Sequence, residues 1–567
     1  MLNELALVED LINHGRYVEA RERTLNLRND ASVDALRVNQ LLALSTSKCG
    51  SPELALEYLT GLYERFPDDP ETAGILGGIY KSIFRKQQST RYALLSRDTY
   101  AKNFEQTGNY YTGINAASMS VIAGKTQQGR ELANRIISQL EKTASSEWEW
   151  ASLAEAYLLT KNRDQAVAAY SKARQLIGTD WGKVLSIHNQ LWLLNHYLPV
   201  PKEVLRIFAP PVVVAFAGHM IDAPGRTTPR FPAALEQRIK DSIRSAIRTL
   251  QASIGYCSLA CGGDILFAEV MAEEGGEVHV VIPFKQEDFV DTSIRFAGDH
   301  WIERFMLLQQ KYPTTFITHD TYGGNDDLFS LLGRVIFGSA ILRSQTYHQE
   351  PFLITVLSEI DMKRREGGTR DTVQLWPFPQ RHTNINPDIM LAPGQPATPG
   401  LPSQPYTRTF IPNRPVLYTA CIDLSSVLPM EVERITKLIK SLAGEEQLSF
   451  KVYEEQGEAI LLGLETEIGL MDIVRAVWNS TAPFKTEKPL RVGLHAAPIY
   501  VNATAEDHNL KALSSISQFT PTGSICSSFG FAAVLALYPK KFQLDYVGVI
   551  KLNGDQTNSD LYQVTFK

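Results

Sequence analysis

Val416-Leu-Tyr-Thr-Ala-Cys-Ile-Asp423 is an apolar run that stops at a carboxylate. Gly457-Glu458-Ala459-Ile-Leu461 opens a second such run, and Arg491-Val-Gly-Leu-His495 makes a third. Short runs of this length, rich in β-branched and apolar residues, read as buried strands. The segment from Glu431 to Leu442 between them carries Val432, Ile435, Leu438, Ile439 and Leu442 at helical spacing. Residues 415–567 therefore predict alternating strands and helices with a ferredoxin-like βαββαβ core.

Upstream, Pro210-Pro211 is followed by Val212-Val-Val-Ala-Phe216, and from there the chain alternates again. A helix is expected over Ala233 to Leu250, strands over Ile254 to Ala260 and Val278 to Ile282, and a helix over Ile265 to Glu274. Further strands are expected at Thr315–Thr318, Phe352–Val356 and Val373–Trp376. This alternation predicts a parallel sheet over residues 210–378, covered on both faces. Prolines at 379, 387, 393, 396, 399, 402, 405 and 412, without hydrophobic period, predict a linker over residues 379–414. From residue 1 to 205 apolar residues recur at spacings of three and four, and the pattern is helical throughout. Asn13-His-Gly-Arg-Tyr-Val-Glu-Ala20 and Thr160-Lys-Asn-Arg-Asp-Gln-Ala166 both put a polar turn before a helix with alanine at the contact. Phe66-Pro-Asp-Asp-Pro70 supplies a break between helical pairs.

The remaining composition excludes several function classes. The chain has 567 residues, 44% hydrophobic and 21% charged, with a net charge of -6, which gives no footprint for nucleic acid. No apolar run approaches the roughly 18 residues that cross a bilayer, and Met1-Leu-Asn-Glu-Leu5 lacks the basic start of a signal peptide, so no membrane and a cytoplasmic location are expected. Cys49, Cys257, Cys261, Cys421 and Cys526 are scattered, without metal-ligand spacing, and read as small buried hydrophobes.

Three resemblances sharpen these readings. The helical segment resembles tetratricopeptide repeats. Within it, Tyr110-Tyr-Thr-Gly-Ile-Asn-Ala-Ala117 and Trp150-Ala-Ser-Leu-Ala-Glu-Ala156 resemble the TRAF-binding region of stress-kinase kinases over residues 20–195. The resemblance implies a protein or peptide partner on the repeat face, with a rigid spacer as the alternative. Residues 210–378 resemble the Rossmann-like SLOG superfamily through Val212 to His219, Ala260-Cys-Gly262-Gly263-Asp264 and Val278 to Phe284. That resemblance implies a nucleotide-type ligand at a rim of Gly218, His219, Gly262, Gly263 and Asp264, with Arg226 and Arg230 within reach of an anion. Neither a phosphate loop nor the Pro-Gly-Gly signature of nucleotide-hydrolysing relatives is present.

Residues 415–567 resemble the class III adenylate/guanylate cyclase domain. The ordered matches are Asp423 after the first strand, Gly457-Glu458-Ala459, Arg491 to Pro498, Thr522 to Ser527, and the closing Val547-Gly548 and Tyr562-Gln-Val564. The resemblance implies Mg²⁺ or Mn²⁺ held by Asp423 and Glu458, Glu454 at the base-selecting position, catalytic Asn509, and a homodimer through this domain. Glu458 stands where the family has aspartate, and Leu513 where it has the arginine that stabilises the transferring phosphoryl group. Asp423 as a turn cap and Glu454 as a solvent-facing residue are the bland alternatives. His495 reads as a satisfied core histidine. Three functions follow: a signalling protein that senses a nucleotide-type ligand with a degenerate cyclase domain, a weak but active adenylate or guanylate cyclase, and a purely structural scaffold.

Overall fold

The structure is a computed structural model that describes the chain except residues 1–3, 29, 31, 179, 227–228, 359–368, 391–415, 426, 428, 445–451, 457–458, 482–489, 499–507 and 553–557. It divides into two compact units. The first holds residues 1–210, and the second holds nearly all the rest.

The first unit is built from helical pairs. Its helices are α1 (Glu4–Asn13), α2 (Tyr17–Leu27), α3 (Ala35–Lys48), α4 (Pro52–Arg65), α5 (Pro70–Gln87) and α6 (Thr90–Thr107). They continue as α7 (Tyr110–Ile122), α8 (Thr126–Leu140), α9 (Glu147–Leu159), α10 (Arg163–Ile177), α11 (Trp181–Leu194) and α12 (Lys202–Ile207). Local chemistry starts them: the side chains of Asp34, Asp69, Asn109 and Asp180 accept backbone N–H bonds at their helix starts, and Ser146 with Glu149 forms a reciprocal capping box. Ala20 and Ala166, which the two look-alike sequences align, are both fully buried.

The second unit contains two sheets. In the first, β1 (Val212–Gly218), β2 (Ala252–Cys257), β3 (Glu277–Ile282), β4 (Thr314–Phe316), β5 (Phe352–Val356) and β6 (His382–Ile385) lie in the order β4-β3-β2-β1-β5-β6, and every pairing is parallel. The expected parallel sheet is therefore present. Its helices are α13 (Glu236–Leu250), α14 (Gly263–Glu273), α15 (Gln286–Ser293), α16 (Asp299–Lys311), α17 (Asp327–Gln345) and α18 (Thr369–Gln374). Three details differ from the sequence reading, the first being that the strand expected over Ile254 to Ala260 ends at Cys257. Val373-Gln-Leu-Trp376 is not a strand: α18 ends within it and Trp376 is buried against Phe337. Residues 382–385, inside the proline-rich stretch, form edge strand β6, and the prolines at 379 and 387 stand outside its ladder, where they remove no strand hydrogen bond.

The second sheet contains β7 (Val416–Asp423), β8 (Val452–Gln456), β9 (Ala459–Leu464), β10 (Arg491–Pro498), β11 (Ser524–Ser528), β12 (Phe542–Lys551) and β13 (Asn558–Phe566). Their order is β12-β13-β11-β10-β7-β9-β8. Four helices accompany them among the described residues: α19 (Pro429–Gly444), α20 (Glu467–Ser480), α21 (His508–Phe519) and α22 (Phe529–Ala536). The two sheets are joined by helix packing. A Cβ added at Gly338 of α17 would lie 1.8 Å from the carbonyl oxygen of Ala533 in α22, so only glycine lets the helices approach this closely. Beside that contact Arg334 Nη1 donates to Glu467 Oε1 at 2.8 Å, and Tyr538 donates to the same oxygen at 2.6 Å.

Candidate functional site

The parallel sheet grows from β1 through β2 and β3 to β4, and then the chain crosses back to place β5 on the other side of β1. A crevice is expected outside the strand ends at such a reversal. A cavity of about 340 Å³ lies there. The end of β1 contributes Phe216, Gly218 and His219, the turn after β2 contributes Ser258 and Ala260, and α14 contributes Asp264. Arg230, Thr292, Tyr322 and the α17 residues Phe329, Leu332, Ile336 and Phe337 complete much of the wall. Of the central residues singled out from sequence, Gly218, His219, Arg230 and Asp264 are thus brought together.

Asp264 is 8% exposed, and its carboxyl accepts backbone hydrogen bonds from Ala260 and Gly218. Burial pushes its pKa up to about 7, against the opposing pull of those two bonds. His219 Nε2 accepts the Ser358 N–H at 3.0 Å, which fixes the ring as the neutral Nδ1–H tautomer. Arg226 does not line the cavity. Its Nε lies 3.3 Å from Asp222, whose other oxygen accepts the Arg230 and Phe231 N–H groups at 2.9 and 3.0 Å.

The glycines admit close backbone packing. Gly262 has φ +105°, and a Cβ there would sit 2.5 Å from Ile221 N. A Cβ at Gly218 would stand 3.2 Å from the Gly263 Cα. The turn after β1 and the start of α14 are therefore packed backbone on backbone. The Gly263 N–H donates to His219 O at 3.1 Å and the Ile265 N–H to Ala260 O at 3.4 Å.

In the C-terminal sheet Asp423 ends β7 directly opposite Arg491 of β10. Its Oδ1 accepts the Ser425 N–H at 2.9 Å, and its Oδ2 lies 3.1 Å from Arg491 Nε. Glu458 lies outside the described residues. Glu454 pairs with Leu461 in the β8–β9 ladder. Asn509 is nearly buried at the start of α21 and donates to Pro498 O at 2.9 Å. Leu513 is fully buried among Leu417, Cys421, Leu461, Ala497 and Leu510, so the helix face that would present a cation is hydrophobic core. His495 bonds Ser528 Oγ at 2.9 Å, and burial lowers its pKa to about 4, as expected of a core histidine. Asp423 already faces a guanidinium, and no cluster of three metal-ligating side chains occurs among the described residues, to which Glu458 does not belong.

In the helical unit one polar chain runs along the first helices of successive pairs. Lys81 of α5 donates to Gln190 of α11 at 2.7 Å, Gln190 donates to Glu155 of α9 at 2.7 Å, and Ser118 of α7 donates to the same carboxylate. Burial lowers the Lys81 pKa to about 8 and raises that of Glu155. The five cysteines are all free and buried.

Ser258 follows β2 at the strand end where ligands gather, and that position was available from sequence. Tyr322, Phe329 and Phe337 carry no such local signal, because only the fold returns α17 and the loop before it to β1.

Comparison with known proteins bears on the helical unit. Residues 16–120 match the family model described as Tetratricopeptide Repeats-Sensor. None of the curated proteins compared matches the chain. Among solved structures, a thermophilic TPR protein of Thermus thermophilus is 19% identical, with a TM-score of 0.28, covering 34% of this chain and 98% of its own. A tetratricopeptide repeat protein of Parabacteroides merdae is 12% identical, with a TM-score of 0.24 and coverages of 36% and 82%. Full-length LpoA of Haemophilus influenzae is 11% identical, with a TM-score of 0.16 and coverages of 62% and 75%. The N-terminal region is a TPR-type helical repeat, and no helix among the described residues is long and apolar enough to cross a membrane.

Proposed function

We propose that this chain is a signalling protein in which the TPR-type repeats hold a protein partner, the central cavity takes a nucleotide-type ligand, and the C-terminal domain responds to that ligand without catalysing cyclisation. Repeat arrays of this kind commonly bind proteins along an extended face, which supports the first part. The observation that carries the second is the cavity at the β1/β5 reversal, where Gly218, His219, Arg230 and Asp264 converge under an aromatic wall. A volume of about 340 Å³ falls in the range of small-molecule sites.

The third part rests on the C-terminal sheet. The strand order β10-β7-β9-β8, with α19 and α20 in the connections, supports a ferredoxin-like core and with it the cyclase-type reading of residues 415–567. The Asp423–Arg491 pair and the buried Leu513 argue that its chemistry is lost. The reading is tested by the melting temperature of the purified chain with nucleosides, nucleotides, NAD and ADP-ribose. At least one raises it by several degrees at saturating concentration, since occupancy at 100 times Kd adds about 2.7 kcal/mol. No change with any of them favours a scaffold.

A further inference from the structure

We infer that Asp264 sets the polarity of the central cavity: the floor over the start of α14 takes the hydrogen-bond-donating edge of a nucleoside, and any phosphate lies away from it, at Arg230. This rests on the ligand reading above and specifies how the ligand is held.

A helix start that follows a parallel strand ordinarily favours an anion, because its first N–H groups lack intrahelical partners. Here the protein itself uses that space. The Gly263 and Ile265 N–H groups bond to His219 O and Ala260 O, and the backbone of Gly262 and Gly263 is in contact with the turn after β1. A carboxyl group then stands in the first turn, on the cavity floor, where its ionised form would meet an incoming phosphate with a like charge. Two backbone donors occupy part of the acceptor capacity of that carboxyl, and an ionised carboxylate accepts about four hydrogen bonds. Donors from a ligand are the complement of what is left. Phe216, Tyr322, Phe329 and Phe337 surround the floor with aromatic surface suited to a planar base. Neutral His219 offers no charge for a phosphate. Arg230 is the cation that lines the cavity, and a guanidinium is well matched to a phosphate.

Calorimetric titration of the full chain with adenosine, guanosine, their 5′-monophosphates and inorganic pyrophosphate tests this. At least one nucleoside binds, and its monophosphate binds more tightly. Asp264→Asn weakens both by about tenfold or more, the worth of a charge-assisted hydrogen bond. Arg230→Gln cancels the advantage of the monophosphate over the nucleoside. Pyrophosphate binding that Arg230→Gln leaves unchanged, or tighter monophosphate binding by Asp264→Asn, overturns the inference, because both place phosphate at the helix start and not at Arg230. Unchanged nucleoside affinity in Asp264→Asn overturns it as well. Should that variant fail to fold, the Arg230→Gln comparison and the pyrophosphate titration decide. Absence of binding by all five compounds instead removes the ligand reading on which the inference stands.

Discussion

Gly338→Ala is the substitution whose effect follows most directly from the fold. The new Cβ would stand 1.8 Å from Ala533 O, 2.3 Å from its carbonyl carbon and 2.7 Å from its Cα. All three are backbone atoms, so no side chain can swing away and α17 must separate from α22. Overpacking of this kind costs about 3 kcal/mol, the upper end of the usual range. Alanine in a helix interior returns about 1 kcal/mol relative to glycine. The net loss is therefore about 2 kcal/mol, which corresponds to a roughly 30-fold larger equilibrium constant for local opening. Hydrogen exchange followed by mass spectrometry reads this in peptides from residues 327–345 and 529–536, without requiring the whole chain to unfold in one step. Gly530→Ala is the control, since a Cβ there meets nothing within 4 Å and the same propensity gain acts unopposed. Equal exchange in Gly338→Ala and the unaltered chain, or equal acceleration in both variants, would refute the reasoning.

Other expectations follow from named groups. Asp264, flanked by Cys257, Cys261, His219 and Arg230, has a folded pKa raised to about 7 from 3.8, so the folded state holds more protons between those values. Its contribution to stability is then lost as pH rises from about 4 to about 7, and denaturant titrations of Asp264→Asn lack that component. Arg334→Ala leaves the 5%-exposed Glu467 without its guanidinium and costs about 3 kcal/mol. Adding Glu467→Gln recovers part of the loss, and a strictly additive double mutant in urea unfolding counts against the pairing. With Mn²⁺ and either ATP or GTP, the chain forms no cyclic nucleotide above an Asp423→Ala control, as measured by chromatography. Clear formation restores the active-cyclase reading.

Much of the architecture was readable from local patterns. Ala20 and Ala166 marked equivalent helix contacts, and strand–helix alternation after Pro211 marked a parallel sheet, because each depends on neighbours in sequence. The candidate site was half readable for the same reason. Gly218, His219 and Asp264 flank strand ends and were legible there, whereas Tyr322, Phe329 and Phe337 reach the cavity only through tertiary folding. Spacing does not say what approaches a bare Cα: Gly218 and Gly262 admit the neighbouring backbone. Proline content hid β6, since an edge strand of four residues fits between Pro379 and Pro387. The packing of Gly338 on Ala533 had no sequence signal, because nearly two hundred residues separate the two helices.

The most direct measurement is a crystal structure of the full chain with whichever nucleoside or nucleotide raises its melting temperature most. The base is expected in the central cavity, with a donor edge on Asp264. Ligand density beside Asp423 and Arg491, with the central cavity empty, would contradict it.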